Sequence, residues 1–276
     1  MMSNKKFTKV TSIVFLGLGS AIMLLPFYWM VTTSFKPALE AYRMPPTWVP
    51  TSSTLDSFRQ VFATFPFIHL YLNSIIVSVC ATALVVFTSS LAGYIFAKFS
   101  FKGKEIIFLF ILGGMMIPFQ AIMIPLFKII VAFGLINTLT GVIVAWVISP
   151  FGIFMMRQFI HTVPSALIDS ARIDGASFFG IYIRIVLPLA KPALLILALF
   201  NFLWSWNDFL WPLIIISSPE KSTIPLGLAM FILARGGGNT HLIMAGSLIA
   251  IFPVLVLFLL TQKNIVKGVV LTGLKG

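Results

Sequence analysis

Residues 70–97 read LYLNSIIVSVCATALVVFTSSLAGYIFA, a run with no charged side chain anywhere in it. As a helix rising ~1.5 Å per residue, the run is longer than the ~30 Å hydrocarbon core of a bilayer. A transmembrane barrel strand is excluded, because such strands are about ten residues long and alternate in polarity. A helix also pairs every backbone N–H and C=O within itself, which lipid demands.

Working outward, comparable runs lie at 12–33, 106–130, 138–156, 193–216 and 242–260. With 59% hydrophobic and only 9% charged residues among 276, the chain exceeds the roughly 45–50% apolar content usual in soluble domains. The expectation is an all-α membrane protein of six transmembrane helices. Residues 1–11 form an N-terminal segment, 12–262 the membrane domain and 263–276 a tail. The first run lacks an A-x-A cleavage site and reads as a retained span. Cys80, the single cysteine, lies inside an apolar run, so no disulfide framework follows; it is expected to be a small buried hydrophobe.

Basic residues set the orientation. Lys5, Lys6, Lys9, Lys98, Lys102, Lys104, Arg157, Arg172, Arg184, Lys191, Lys263, Lys267 and Lys275 fall on one side of the six-span arrangement. Lys36, Arg43, Arg59, Lys128, Lys221 and Arg235 fall on the other. The positive-inside rule therefore predicts N-in and C-in topology, with the segment between spans four and five in the cytoplasm. The net charge of +12 is then mainly topology, and no aromatic-basic platform outside the membrane points to nucleic acid.

After span one, Pro37, Pro45, Pro46 and Pro50 give a stiff irregular stretch. Thr54 then caps a short predicted helix carrying Leu55, Phe58, Val61 and Phe62 on one face. A helix lying on the membrane surface and a partner-docking helix both fit.

Residues 161–192 read HTVPSALIDSARIDGASFFGIYIRIVLPLAKP. Pro164 suits a first helical position, Ala166 to Ala171 continue the helix, and Gly175 can take the left-handed conformation that ends it. Ser177 can cap a second helix with Phe178, Ile181, Tyr182 and Ile185 at helical spacing, until Pro188 stops it. The result is a helix-Gly-helix elbow spanning 161–191.

The elbow resembles a motif of binding-protein-dependent ABC permeases: Glu-Ala-Ala, three residues, Gly, nine residues, Ile, any residue, Leu-Pro. Here Asp169-Ser170-Ala171 precedes Gly175 by three residues, and Ile185-Val186-Leu187-Pro188 follows after nine. Asp replaces Glu and Ser replaces the first Ala. Pro46-Thr47-Trp48-Val49-Pro50, Asn73-Ser74-Ile75, Trp204-Ser205-Trp206-Asn207-Asp208-Phe209 and Leu271-Thr272-Gly273-Leu274-Lys275-Gly276 look like the carbohydrate-importer branch that contains the second maltose permease subunit.

The resemblance implies the type I ABC importer permease class, in a bacterial cytoplasmic (inner) membrane. It implies a heterodimer with a homologous permease subunit, two copies of a cytoplasmic ABC ATPase and an extracytoplasmic solute-binding protein. The carried solute would be a sugar, with a polyol or sugar phosphate as alternatives. Asp169, Ser170, Ala171, Gly175, Ile185, Leu187 and Pro188 would form the coupling element that docks on the ATPase. ATP and Mg would sit on that ATPase, and no cofactor, metal or catalytic residue is expected on this chain, which has no G-x-x-x-x-G-K-[ST] loop.

Asp208 is the only acid within an expected span, and such a group normally faces a cavity or a partner. With Trp204, Trp206 and Trp211 around it, two readings stand. In one, aromatic faces stack on sugar rings while Asn207 and Asp208 bond hydroxyls; in the other, the tryptophans form an interfacial belt and the polar pair ties helices together. Asn73 and Ser74 likewise serve helix-helix bonding or solute contact. Pro118 and Pro125 are expected to break span three, for motion or for packing. His69, His161 and His241 lack metal-ligand spacing. A secondary transporter using Asp208 as an ion site is the rival class, against which the elbow argues; no constellation suggests a membrane enzyme.

Overall fold

The computed structural model describes residues 2–64, 66–234 and 239–273, and these form helices joined by turns, with no strand among them. They fall into two compact units, one from the described residues of Met1–Phe67 and Leu228–Phe252, the other from those of Ile68–Gly227 and Pro253–Gly276.

The first unit begins with α1 (Met2–Ser34), which from Thr11 is long and apolar enough to cross a membrane yet buries none of its apolar window in the chain. Its surface is left for lipid or another protein. The proline-rich stretch that follows is strapped by two charged side chains around α2 (Ala38–Ala41). Lys36 is 1% exposed; its Nζ donates to the carbonyl of Thr47 and lies 4.3 Å from the Trp29 ring centroid. The Glu40 carboxylate accepts from Thr51 N–H and Thr51 Oγ1, each at 2.8 Å, and from Thr47 Oγ1 at 2.9 Å. The backbone N–H of Thr51 above all holds the Glu40 carboxyl below its ordinary pKa of 4.5. Thr54 caps as expected, its Oγ1 accepting from Asp56 N–H at 3.1 Å, and α3 (Asp56–Thr64) follows. Val61 is buried while Leu55 and Phe62 are exposed.

In the second unit, the run that opened the sequence reading becomes α4 (Phe67–Lys98). Small residues let α4 pack closely on α8 (Pro150–His161). A Cβ on Gly93 would come within 2.6 Å of Met156 Cβ, and one on Gly152 would collide with Ser89. Positions i and i+4 on each helix pair in the same order, so the two run parallel, backbone close to backbone. Cys80 is exposed on α4, not buried as composition suggested. In lipid an apolar run has no obligatory inner face, so run membership does not reveal burial.

Two expected spans are not continuous helices. Residues 106–130 divide into α5 (Lys104–Gly114) and α6 (Phe119–Ala132), bent by 101°. Pro118 causes the break, holding φ −64° and ψ 141° before α6, because proline disfavours helix in the residue before it. Pro125, expected to break this run as well, sits inside α6 without doing so. Residues 138–156 divide into α7 (Leu139–Val144) and α8, of 6 and 12 residues. The first ends at Val144 with Ala145 as its C-cap, and Ser149 caps the second, its Oγ accepting from Gly152 N–H at 3.0 Å, with Pro150 in the first turn. Among the described residues, four helices are therefore long and apolar enough to cross a membrane, five if the bent pair counts as one span.

The elbow holds α9 (Ser165–Ile173) and α10 (Phe178–Ile181). Pro188 does not end the second helix. A π turn, Tyr182–Val186, in which Leu187 N–H donates to the Tyr182 carbonyl, carries the chain into α11 (Leu187–Asn207). The widened turn lies where the proline ring would otherwise clash with the preceding carbonyl. Then come α12 (Leu210–Ile215), α13 (Ile224–Ala234) and α14 (Thr240–Gly273). The second unit's main core joins Val85 and Tyr94 of α4, Met156 and Ile160 of α8, Ile168, Ile181, Tyr182 and Val186 of the elbow, and Ala190, Ala193 and Leu197 of α11.

Candidate functional site

The end of α9 shows why the elbow turns where it does. Gly175 has φ +79°, its N–H donates to the Arg172 carbonyl at 3.0 Å, and Ala176 N–H donates to the Ala171 carbonyl at 2.9 Å. This pair of bonds around a left-handed residue is the Schellman termination. Ser177 Oγ then accepts from Gly180 N–H at 3.2 Å, restarting the helix within two residues.

The motif residues divide by environment. Asp169, Ser170, Gly175 and Pro188 are exposed, and Ala171 is half-buried. Ile185 and Leu187 instead pack against the core cluster, so they set the elbow's position and are not part of its outer face. Beside Asp169, the outer face also exposes Leu167 and Ile173, the latter at 86%. Asp169 lies 3.9 Å from Arg172 on its own helix, a solvent-exposed pair of the kind that adds little to stability.

Several elbow anchors were invisible to motif reading. Lys98, legible only as a topology charge, donates from Nζ to the carbonyls of Val163 and His161 and reaches Ser165 Oγ at 3.4 Å. A cation there caps the C-terminal carbonyls of α8. Tyr182 Oη and Ser90 Oγ share a buried hydrogen bond of 2.6 Å. The Tyr94 ring stacks on Tyr182 at 5.9 Å and packs on Phe178 and Phe99, while Arg172 lies 5.0 Å from the Phe99 ring centroid. The elbow is thus fixed to the end of α4 as one packed body.

The polar residues singled out in spans two and five lie elsewhere. Asn73 donates from Nδ2 to the carbonyls of Glu220 and Ser222 at 2.8 and 3.0 Å, and Ser74 Oγ accepts from Ile224 N–H at 2.7 Å. Both tie α4 to the start of α13. Asn207 ends α11, its Nδ2 donating to the Leu203 carbonyl at 2.8 Å. Asp208 is not within a helix but in the break before α12, where its Oδ1 accepts from Trp211 N–H at 3.3 Å. Trp211 is fully buried and donates to the Gly141 carbonyl at 3.2 Å.

A cavity of about 460 Å³ opens in the second unit at the breaks of the two interrupted helices. Phe119, Trp146, Ser149, Phe151, Asn201 and Trp204 are among its walls. Asn201 is 3% exposed and its Nδ2 has no hydrogen-bond partner, a condition that costs roughly 1–3 kcal/mol for a buried donor. Sequence reasoning passed over Asn201, although an amide in an apolar span is itself a signal.

The family model for the binding-protein-dependent transport system inner membrane component matches residues 89–262, which include the elbow. The arabinooligosaccharides transport system permease protein AraQ of Bacillus subtilis (strain 168) is 37% identical, with 97% of this chain and 96% of that protein covered. The probable starch degradation products transport system permease protein AmyC of Thermoanaerobacterium thermosulfurigenes is 31% identical over 95% and 96%. Among solved structures, a chain of a bacterial ABC transporter involved in the import of the acidic polysaccharide alginate superposes with a TM-score of 0.83, covering 94% of this chain and 97% of that one at 22% identity. At that identity the likeness concerns the fold.

Proposed function

The chain belongs to the family of inner-membrane components of binding-protein-dependent transport systems, and from that membership we propose that it is a permease subunit of an ATP-driven importer for a sugar or sugar-like solute. The observation that carries the reading is the elbow: an exposed, Schellman-terminated knob bearing Asp169, Ser170 and Gly175, rigidly packed on the chain's own core. Such a knob can pass a partner's rotation into the helices behind it as a rigid-body movement.

In this proposal the chain pairs with a homologous permease in a bacterial inner membrane. Each subunit docks its elbow on one of two cytoplasmic ATPases that bind ATP and Mg, and an extracytoplasmic binding protein delivers the solute. Residues 12–262 would cross the membrane six times, N-in and C-in, with interrupted helices supplying two of the crossings. Asn207 and Asp208 are proposed to border the solute path. Asn73, with both amide hydrogens committed to carbonyls, would offer a solute only its oxygen. The tail 264–276 would reach the ATPases; its last residues, 274–276, lie outside the described residues. Sugar as the solute is supported by the carbohydrate systems named for AraQ and AmyC.

The test is reconstitution with a partner permease, ATPase and binding protein in liposomes. Sugar uptake should require ATP inside the assay and stop when the ATPase is inactivated. Uptake driven by a proton or sodium gradient without ATP would sink the proposal.

A further inference from the structure

The geometry points to an anionic-phospholipid site on this chain, at the turn where α4 hands over to α5. It rests on the cytoplasmic placement of residues 98–104 and not on which solute is carried. An open hollow of about 390 Å³ lies at this turn, lined by Ser100, Phe101, Gly103, Lys104, Glu105 and Ile106. Its surroundings are positive. Lys102 is exposed, and among the described residues its side chain has no bonded partner. Lys104 gives one N–H to the Phe99 carbonyl at 2.9 Å, which leaves two of its three donors. The one acid, Glu105, accepts from Arg157 Nη2 on both oxygens at 3.0 Å, so its charge is answered from within the chain.

Directly beyond the hollow, α5 is bare. Ile106, Ile107, Leu109 and Phe110 are between 47% and 77% exposed, and Phe108 alone among residues 106–110 turns inward, onto Phe96 and Ile153 of α4 and α8. With 3.6 residues per turn, the four exposed side chains spread over roughly half of the helix's circumference. A protein helix would cover a narrower seam, whereas lipid tails cover such a face whole. A phospholipid therefore matches both parts, with its phosphate in the hollow and its tails along α5. Charge selects the class: the cytoplasmic leaflet is the one whose surface is negative, and lysines at its edge attract anionic headgroups. A zwitterionic headgroup would bring a cation of its own to the two lysines.

The test is photolabelling of the full chain in nanodiscs of phosphatidylglycerol and phosphatidylcholine in equal parts, using an acyl-chain diazirine analogue of each lipid and mapping the labelled peptides. The phosphatidylglycerol probe should label residues 101–110 about twenty-five-fold more than the phosphatidylcholine probe, a factor of roughly five for each lysine near an anionic headgroup. Lys102→Gln should reduce the preference to about fivefold and the double variant Lys102→Gln, Lys104→Gln to near parity, while Lys102→Arg keeps it. Lys102 bonds nothing in the described chain, so its replacement stays informative even if the loss of Lys104 disturbs the turn. Equal labelling by the two probes, or a preference unmoved by Lys102→Gln, would overturn the site. Suppression of the label by inorganic phosphate would overturn it in favour of free phosphate in the hollow, and loss of the label on co-expression with a partner permease would show the α5 face to be covered by protein.

Discussion

A Cβ built on Gly175 would touch nothing within 4 Å, yet the residue's φ of +79° makes most side chains unwelcome. A β-branched residue forced into that region costs about 1–3 kcal/mol, whereas Asn tolerates it. Gly175→Val should therefore loosen the Schellman turn and reduce ATPase co-purification or uncouple hydrolysis from uptake, while Gly175→Asn stays close to wild type. Asp169→Ala should be the milder change, because its intrachain ion pair is exposed and only its contact to the ATPase is lost. Pull-down and uptake assays on the three variants check the order; equal, wild-type behaviour of Gly175→Val would remove the elbow from the coupling role. Residue chemistry was readable here because a left-handed helix end has few acceptable occupants. Cys80 shows the converse, since nothing local separates a lipid-facing position from a buried one.

Between α2 and α3, the strap around Glu40 makes an element depend on one carboxylate. Its bonds to Thr51 and Thr47 favour the ionised form, with the Thr51 N–H foremost. A carboxyl whose folded pKa is depressed contributes stability that is complete above the unfolded value, near 4.5, and lost as pH falls through the lower folded value. Hydrogen exchange over residues 37–51 should be slow and constant at neutral pH and accelerate only below about 4.5. Glu40→Gln should exchange faster throughout and lose that pH dependence; an unchanged profile in the variant would show that the strap does not hold the loop. At this scale sequence rules succeeded where local chemistry dominates, as at Thr54 and Ser177. They failed at Pro188, where the rule that proline ends a helix yielded to a π turn stabilised by core packing of Tyr182 and Val186.

For the whole molecule, the distribution of basic residues predicts both termini in the cytoplasm. Alkaline phosphatase fused after Arg59 should be active and after Lys104 or Lys191 inactive; the reverse pattern would invert the topology. That prediction, the all-helical class and the elbow follow from sequence alone, because each rests on something local: the length of an apolar run, the side on which charges fall, and the spacing of caps and glycine. What only the tertiary structure decided is which of these pieces meet. The runs at 106–130 and 138–156 carry one charge between them, Lys128, and hydropathy does not register where they divide: Pro118 was legible as a breaker, whereas the break before Pro150 was not. The cavity arises because those two breaks fall opposite Asn201 and Trp204 of α11, residues far apart in the chain. Lys98 and Tyr182 hold the elbow through partners more than sixty and ninety positions away in sequence. Such contacts are set by how helices pack against one another, and packing is a property of pairs of surfaces that no single stretch of sequence contains.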